Sequence, residues 1–492
     1  MKQITSFFSV FLTIALLAAL LSGCSEALAP HDPNEDVLNV TQVVTQADIN
    51  QLELYPNLQT ADLRGSDCYR SIMTYAATHP NVAVHYDVAI GSDRYDMNIT
   101  ELGFSADQAN YDDLLTNLEY LPKVTSVDLP DTAMTFDQLE TLKSKYSKIS
   151  FTYTVSIAGS IYEADATEVD LTQLQASDMV SAAHKLSLLP NVSRILLTKE
   201  DGTNNLTPAD VKTLQQLVPN AFVEYSFDLF GKTVSTSDEV IEYDEVAIGN
   251  EGEQQIREAL DILTSCRYIK FDDCGIDTAV MAGIRDDYPE VKVVWRIHIN
   301  QYSLLTDETM MRLTFTLDDN NVDELKYCTD VVYMDIGHNN TLTDVSFVAY
   351  MPNLECAILS GSRVTDISAF ANCKKLVWLE LCFCGYFEDL SPIKDIDSLK
   401  YLNVSGTKAK DFTPLDNLKL ERFVCMSCGA SIAEKNRFVE KHPDCLSVLK
   451  GKQPYGYGWR YDDHGYTFFE YYRNMREIFR YDDKNYRGNR KE

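Results

Sequence analysis

The chain has 492 residues, 45% of them apolar, with 74 acidic against 43 basic side chains and a formal net charge of −31. Such a surface repels phosphate, which excludes nucleic acid and anionic lipid as principal partners, and it suits a cationic protein or simply a solvated acidic exterior. The charge is uneven: residues 450–492 carry +3 and the remainder −34.

The chain opens MKQITSFFSVFLTIALLAALLSGCSEA, with Lys2 ahead of an apolar run that ends in small residues. This pattern predicts a secretory signal, too short for a stop-transfer helix. Leu21-Ser22-Gly23-Cys24 resembles the bacterial lipobox. That resemblance implies cleavage before Cys24 and acylation of its thiol, hence a lipid anchor on the extracellular face of the cell membrane, about 0.8 kcal/mol per buried CH₂. An ordinary cleaved signal is the competing reading. Residues 1–23 are then the signal peptide. Residues 24–45, polar and with Pro30 and Pro33, are expected to be a flexible tether.

Residues 46–324 carry a nine-residue frame with apolar residues at positions 1, 4 and 6 and a small or polar one at 9. It occurs at 58–66 (LQTADLRGS), 124–132 (VTSVDLPDT), 192–200 (VSRILLTKE) and 266–274 (CRYIKFDDC). Between these stand alternating runs, VAVHYDVAIGSDRY, ISFTYTVSIAGSIY, FVEYSFDLFGKTV and VKVVWRIHINQYSLL, whose period of two predicts strands turning into hairpins. Helical periodicity marks FDQLETLKSKY, TPADVKTLQQLVPN and TAVMAGIRDDYPE, with Thr207-Pro208 as a helix start. Two readings of this region are open: long coils continuous with the repeats that follow, or four separate α/β modules.

In residues 325–445 the frame recurs at 331–339, 354–362, 376–384, 399–407 and 420–428, with starts 23, 22, 23 and 21 residues apart. This is the period and pattern of a leucine-rich repeat, whose units bury their apolar faces only by stacking. The predicted fold class is therefore α/β, a leucine-rich repeat solenoid with parallel strands on one face, hairpin insertions and an aromatic C-terminal cap. The turns LTDVSFV, VTDISAF, FEDLSPI and AKDFTPL resemble the internalin-type bacterial class. With Tyr288-Pro289 through Trp295 and the ending QPYGYGWRYDD, the chain is also similar to signal-bearing repeat proteins of Gram-positive bacteria, a resemblance that implies no catalytic residues.

Residues 446–492 are dense in aromatics, including Tyr455, Tyr457, Trp459, Phe468, Phe469, Tyr471, Tyr472 and Phe479. YTFFEYYRNMREIF has amphipathic helical spacing and is expected to cover the open end of the solenoid. The alternative is a carbohydrate or peptide site built on exposed rings.

The expected function is non-covalent recognition of a protein or peptide, basic in character, on the strand face, where positions 2, 3, 5, 7 and 8 point outward. The candidate residues are Tyr333, Asp335, Glu355, Trp378, Glu380, Phe383, Tyr401 and Asn403, with Trp378, Phe383 and Tyr401 as aromatic anchor and Asp335, Glu355 and Glu380 as the acidic complement. A self-associating envelope protein is the alternative. No cofactor or metal is expected, and the sequence has no H-E-x-x-H, no nucleophile elbow and no Gly-rich phosphate loop. Cys425-Met-Ser-Cys428 has the spacing of a redox dithiol, but both residues fall on frame positions, 6 and 9, which argues for a structural role.

Overall fold

The structure, a computed structural model, describes residues 32–39, 45–104, 110–462, 464, 466–486 and 488–489. The signal segment and Cys24 lie outside the described residues. The chain divides into two compact units, one ending at Ser226 and one beginning at Phe227.

The first unit contains three parallel three-stranded arrangements. Val37–Asn39, Thr60–Asp62 and Ala83–His85 form the first; Glu101–Gly103, Ser126–Leu129 and Ser150–Ile157 the second; Glu168–Asp170, Arg194–Leu196 and Phe222–Glu224 the third. In each, the middle strand is the predicted frame and the last is the predicted alternating run. The first strand was not foreseen. Val37–Asn39 also corrects the expected tether: Leu38 is fully buried, so this stretch is already part of the folded body.

The alternating runs turn into hairpins as expected. Asp87–Ile90 pairs antiparallel with Asp93–Asp96, and Ser150–Ile157 with Ser160–Glu163. In the second of these the turn residues Ala158 and Gly159 are both left-handed, which matches the turn to the twist of the strands. The predicted helices form at Phe136–Lys145 and Pro208–Leu217. Thr207 and Asp210 make a capping box, and Pro208 fills a first-turn position where no amide is needed.

One device recurs between successive modules. In two of the alternating runs a tyrosine of the buried stripe reaches a carbonyl just ahead of the next frame. Tyr86 donates to Tyr120 O at 2.8 Å, and Tyr153 to Leu188 O at 2.7 Å. In the second unit the equivalent position is Trp295. There Arg285 donates to the matching carbonyl, Tyr327 O, at 3.2 Å, and its guanidinium lies 5.0 Å over the Trp295 ring.

The second unit begins with one more such module: Val240–Asp244, Tyr268–Asp272 and Lys292–Ile299 in parallel, the last pairing antiparallel with Tyr302–Leu305. A seven-stranded parallel sheet follows, with strands Met310–Arg312, Tyr333–Asp335, Cys356–Ile358, Trp378–Glu380, Tyr401–Asn403, Arg422–Val424 and Leu446–Val448. Five of these are the predicted repeats. The seventh, Leu446–Val448, extends the sheet past the expected end of the repeats at 445.

The coils return through short 3₁₀ turns, such as Ser368–Asn372 or Ser391–Ile393, except the last, which returns through the helix Ile432–Lys441. The Asp of the repeated turn motif starts it: Asp344, Asp366, Asp389 and Asp411 each accept the amide two residues on, at 2.7–2.9 Å. Frame positions 1, 4 and 6 build one continuous core from Leu229 to Phe438. A second, separate cluster lies on the other side of the sheet and includes Trp378, Tyr401, Val424, Trp459, Tyr472, Met475 and Phe479. The described residues of the C-terminal segment from Pro454 to Asn489 supply that cluster's outer half. The expected end cap is thus a strap laid across the strand face.

Candidate binding surface

Pleating sends positions 3, 5 and 7 of every coil to the face opposite the core. In the seven-stranded sheet the strap occupies that face. Trp378, Glu380 and Asn403 are fully buried, and Tyr401 and Asp335 are 6% exposed. Tyr333 and Glu355 are half-buried. Of the eight candidate residues only Phe383 is exposed, at 52%. The expected solvent-facing site on these coils is therefore corrected: the sequence pattern placed these side chains on the right face, but the chain's own C-terminus covers it.

Most charged and amide groups of that face find partners on the strap. Glu380 Oε2 accepts from Trp459 Nε1 at 2.6 Å, and its Oε1 accepts from Arg460 Nη2 at 2.6 Å and Ser360 Oγ at 2.7 Å. Asp335 accepts from Tyr481 Oη at 2.5 Å and the Gly337 amide at 3.0 Å, and burial raises its pKa. Asn403 Nδ2 donates to Pro454 O at 2.9 Å, Arg422 to Tyr461 O at 3.1 Å and Arg312 to Phe479 O at 2.9 Å. Rings complete the seam: Trp378 and Trp459 have centroids 3.9 Å apart, and Arg422 lies 3.7 Å over Phe469. Two of the three carboxylates expected to attract a basic partner, Asp335 and Glu380, are consumed here.

What remains open is the edge where the strands end. Position 8 of successive coils adopts a left-handed backbone: Phe315 (φ 61°), His338 (62°), Gly361 (82°), Phe383 (61°), Gly406 (70°) and Ser427 (50°). The rings lean along this row. Phe315 stacks on His338 with centroids 4.8 Å apart and planes 3° from parallel. A Cβ on Gly406 would meet Phe383 Cδ1 at 2.9 Å, so glycine stands where the preceding coil's ring lies. Phe315 is 72% exposed and Tyr386, beside the row, 54%. Tyr455 of the strap sits edge-on to Phe383 at 6.1 Å and is itself half exposed. Trp459 of the same segment is fully buried.

The strand faces of the preceding modules carry charge ladders that the sequence reading did not single out. Lys270 pairs with Glu242 and Asp244 at 3.3 and 3.0 Å; Arg296 with Asp272 at 2.5 Å; His298 with Asp273 at 2.6 Å; Arg194 with Glu168 at 2.8 Å and also with Glu224. These side chains alternate with buried ones along the strands, and each of Lys270, Arg296 and Arg194 is held by carboxylates of neighbouring strands, which outnumber the cations.

Cys425 is fully buried in its core slot, whereas Cys428 is half-buried. The Cys425 thiol, the Ala430 amide and Lys435 lower the pKa of Cys428 below that of an ordinary thiol, while that of Cys425 is raised. The frame explains Cys425 better than it explains Cys428. Among the described residues no group of three or more His, Cys, Asp or Glu is placed to hold a metal ion.

No family model and no curated protein matches the chain. Among solved structures it is similar to an internalin of Listeria monocytogenes, with 15% identity over 85% of this chain and 87% of that one and a TM-score of 0.25. It is similar to a leucine-rich repeat protein of Leptospira interrogans, with 12% identity over 87% and 98% and a TM-score of 0.24. A third similarity is to the functional domain of InlJ from Listeria monocytogenes, described as including a cysteine ladder, with 13% identity over 68% and 69% and a TM-score of 0.27. The leucine-rich repeat architecture of the present chain rests on its own 21–23-residue period and parallel strand register.

Proposed function

We propose that the chain is a non-enzymatic binding scaffold, held on the outer face of a bacterial membrane by acylated Cys24, and that it recognises a protein or peptide along the exposed edge of the coil sheet. The observation that carries this reading is the row of left-handed positions bearing exposed rings. A bulky residue at φ near +60° costs on the order of 1 kcal/mol, and an exposed Phe gains little hydrophobic stabilisation in return. Two such phenylalanines, Phe315 and Phe383, stand in this row. Aromatic side chains presented rigidly are what protein interfaces use as anchors. The strand face of the coils serves the fold instead, and the expected basic character of the partner keeps only Glu355 of its three carboxylates.

The test is selection of short random peptides, displayed on phage, against soluble protein spanning Ser25–Glu492. Enriched clones are expected to lose binding about tenfold or more on the double variant Phe315→Ser/Phe383→Ser. They should keep it on Val180→Ser, which removes an equally exposed apolar side chain in the first unit. Clones indifferent to the double variant, or no enrichment at all, would refute the reading.

A further inference from the structure

The edge also carries charge. Tyr386 lies between two cations, with Arg363 Cζ 5.9 Å and Lys408 Nζ 5.3 Å from its ring centroid. Arg363 and Lys408 occupy frame position 10 of coils two apart, roughly 10 Å at the usual strand spacing. Both are exposed, and neither has a carboxylate partner among the described residues. The acids on the same turns are otherwise engaged. Glu388 pairs with Lys410, and Asp389 and Asp411 accept the amides of their own turns.

Unpaired cations side by side are an anomaly in a chain of net charge −31. The fold does not need them there: position 10 is Asn340, Gly385 and Gly429 in neighbouring coils. On the coil between the two cations, two residues before Gly385, stands the exposed Phe383, while position 8 of the cations' own coils is Gly361 and Gly406.

We infer that the edge binds an acidic segment of a partner protein, with carboxylates on Arg363 and Lys408 and an apolar side chain against Phe383. This rests on the reading of the edge as a recognition surface and fixes its charge, opposite to the basic partner the overall composition suggests. Local charge decides because at physiological ionic strength the Debye length is about 8 Å, so most of the acidic surface is screened from the site while contacts at hydrogen-bonding distance are not. Arg363 can grip a carboxylate with two donors, whereas Lys408 offers a point charge, so Arg363 sets orientation. The Tyr386 ring between them adds a cation–π contact to each.

The peptides selected above decide the matter. Enriched sequences are expected to be rich in Asp and Glu with a neighbouring aromatic or aliphatic residue. Their affinity should fall about tenfold or more on Arg363→Ala/Lys408→Ala. Charge reversal, Arg363→Glu/Lys408→Glu, should abolish binding of the acidic peptides and confer binding of the same peptides with Lys in place of Glu. Thermal unfolding of each variant should match the parent, since both side chains are exposed. Peptides that need Phe383 but are basic, or that ignore both cation variants, would overturn the acidic partner while leaving the edge as the binding surface. Peptides that need neither Phe383 nor the cations would overturn both.

Discussion

Glu380 and Trp459, 79 residues apart in sequence, meet through a 2.6 Å hydrogen bond in which neither side chain is exposed to water. The bond ties the strap to the middle of the coil sheet, and Arg460 completes the pair from the same strap. Glu380→Ala leaves Arg460 and the Trp459 indole without their acceptor and is expected to cost about 3 kcal/mol in urea denaturation. The two facing tryptophans should respond differently to Phe. Trp459→Phe removes a bond to a buried carboxylate and should cost about 1–3 kcal/mol beyond the change in packing. Trp378 Nε1 has no hydrogen-bond partner among the described residues, so Trp378→Phe should cost only the packing difference. Equal losses for the two variants would contradict this arrangement.

Asp335 gives the strap a pH dependence. Burial raises its pKa in the folded state above the ordinary 3.8, so the folded protein holds its proton more tightly than the unfolded chain does. The associated stability is present below pH 4 and is lost as pH rises through the folded-state value. Asp335→Asn should therefore be better tolerated, relative to the parent, at pH 7 than at pH 4. The check is urea denaturation of both proteins across that range. A difference between them that is flat with pH would show that Asp335 is not the titrating group.

Cys428 is expected to be the fastest of the described thiols to alkylate. Its neighbours lower its pKa, whereas burial raises Cys445 to about 11 and Cys373 to about 12. Because the thiolate is the nucleophile, iodoacetamide at pH 7 should modify Cys428 first, with half-maximal rate at a lower pH than for the other thiols. Peptide mass mapping of a brief labelling reads this directly. Faster modification of Cys445 or Cys68 would contradict it.

The edge row separates stability from recognition. Gly406→Ala places a Cβ at φ +70° and 2.9 Å from Phe383, and should cost about 1–2 kcal/mol. Phe383→Gly relieves a left-handed backbone at the loss of an exposed ring, so thermal stability should hold or rise slightly while peptide binding falls. A large loss of stability in Phe383→Gly would mark the ring as a structural element.

Much of the architecture is legible in the sequence because repetition exposes it. The frame positions 1, 4 and 6 anticipate the inner core, from Val331, Met334 and Ile336 to Leu420, Phe423 and Cys425. The alternating runs anticipate the hairpins, and Thr207-Pro208 the helix start. The unforeseen strands, such as Glu101–Gly103 and Glu168–Asp170, are three residues long, too short for alternation to declare itself. The position of the strap was not legible for a different reason. An amphipathic segment such as Glu470–Ile478 states that it must bury one face, not which of two apolar surfaces will receive it. Trp378, Tyr401 and Asn403 look alike as an exposed ligand site or as the floor beneath a strap, because both uses call for large rings and unpaired amides. The left-handed row was hidden because position 8 is variable in the repeat: Gly361 and Gly406 mark the backbone there, but Phe315, His338, Phe383 and Ser427 do not.

The most direct test of the closed strand face is acrylamide quenching of tryptophan fluorescence in Trp295→Phe, which leaves Trp378 and Trp459 as the reporters. Both lie fully buried between sheet and strap. Blue-shifted emission and weak quenching of both indoles would be the expected result. Emission near that of tryptophan in water, with strong quenching, would mean that the strand face stands open and that Trp378, Tyr401, Glu380 and Asn403 are available to a ligand after all.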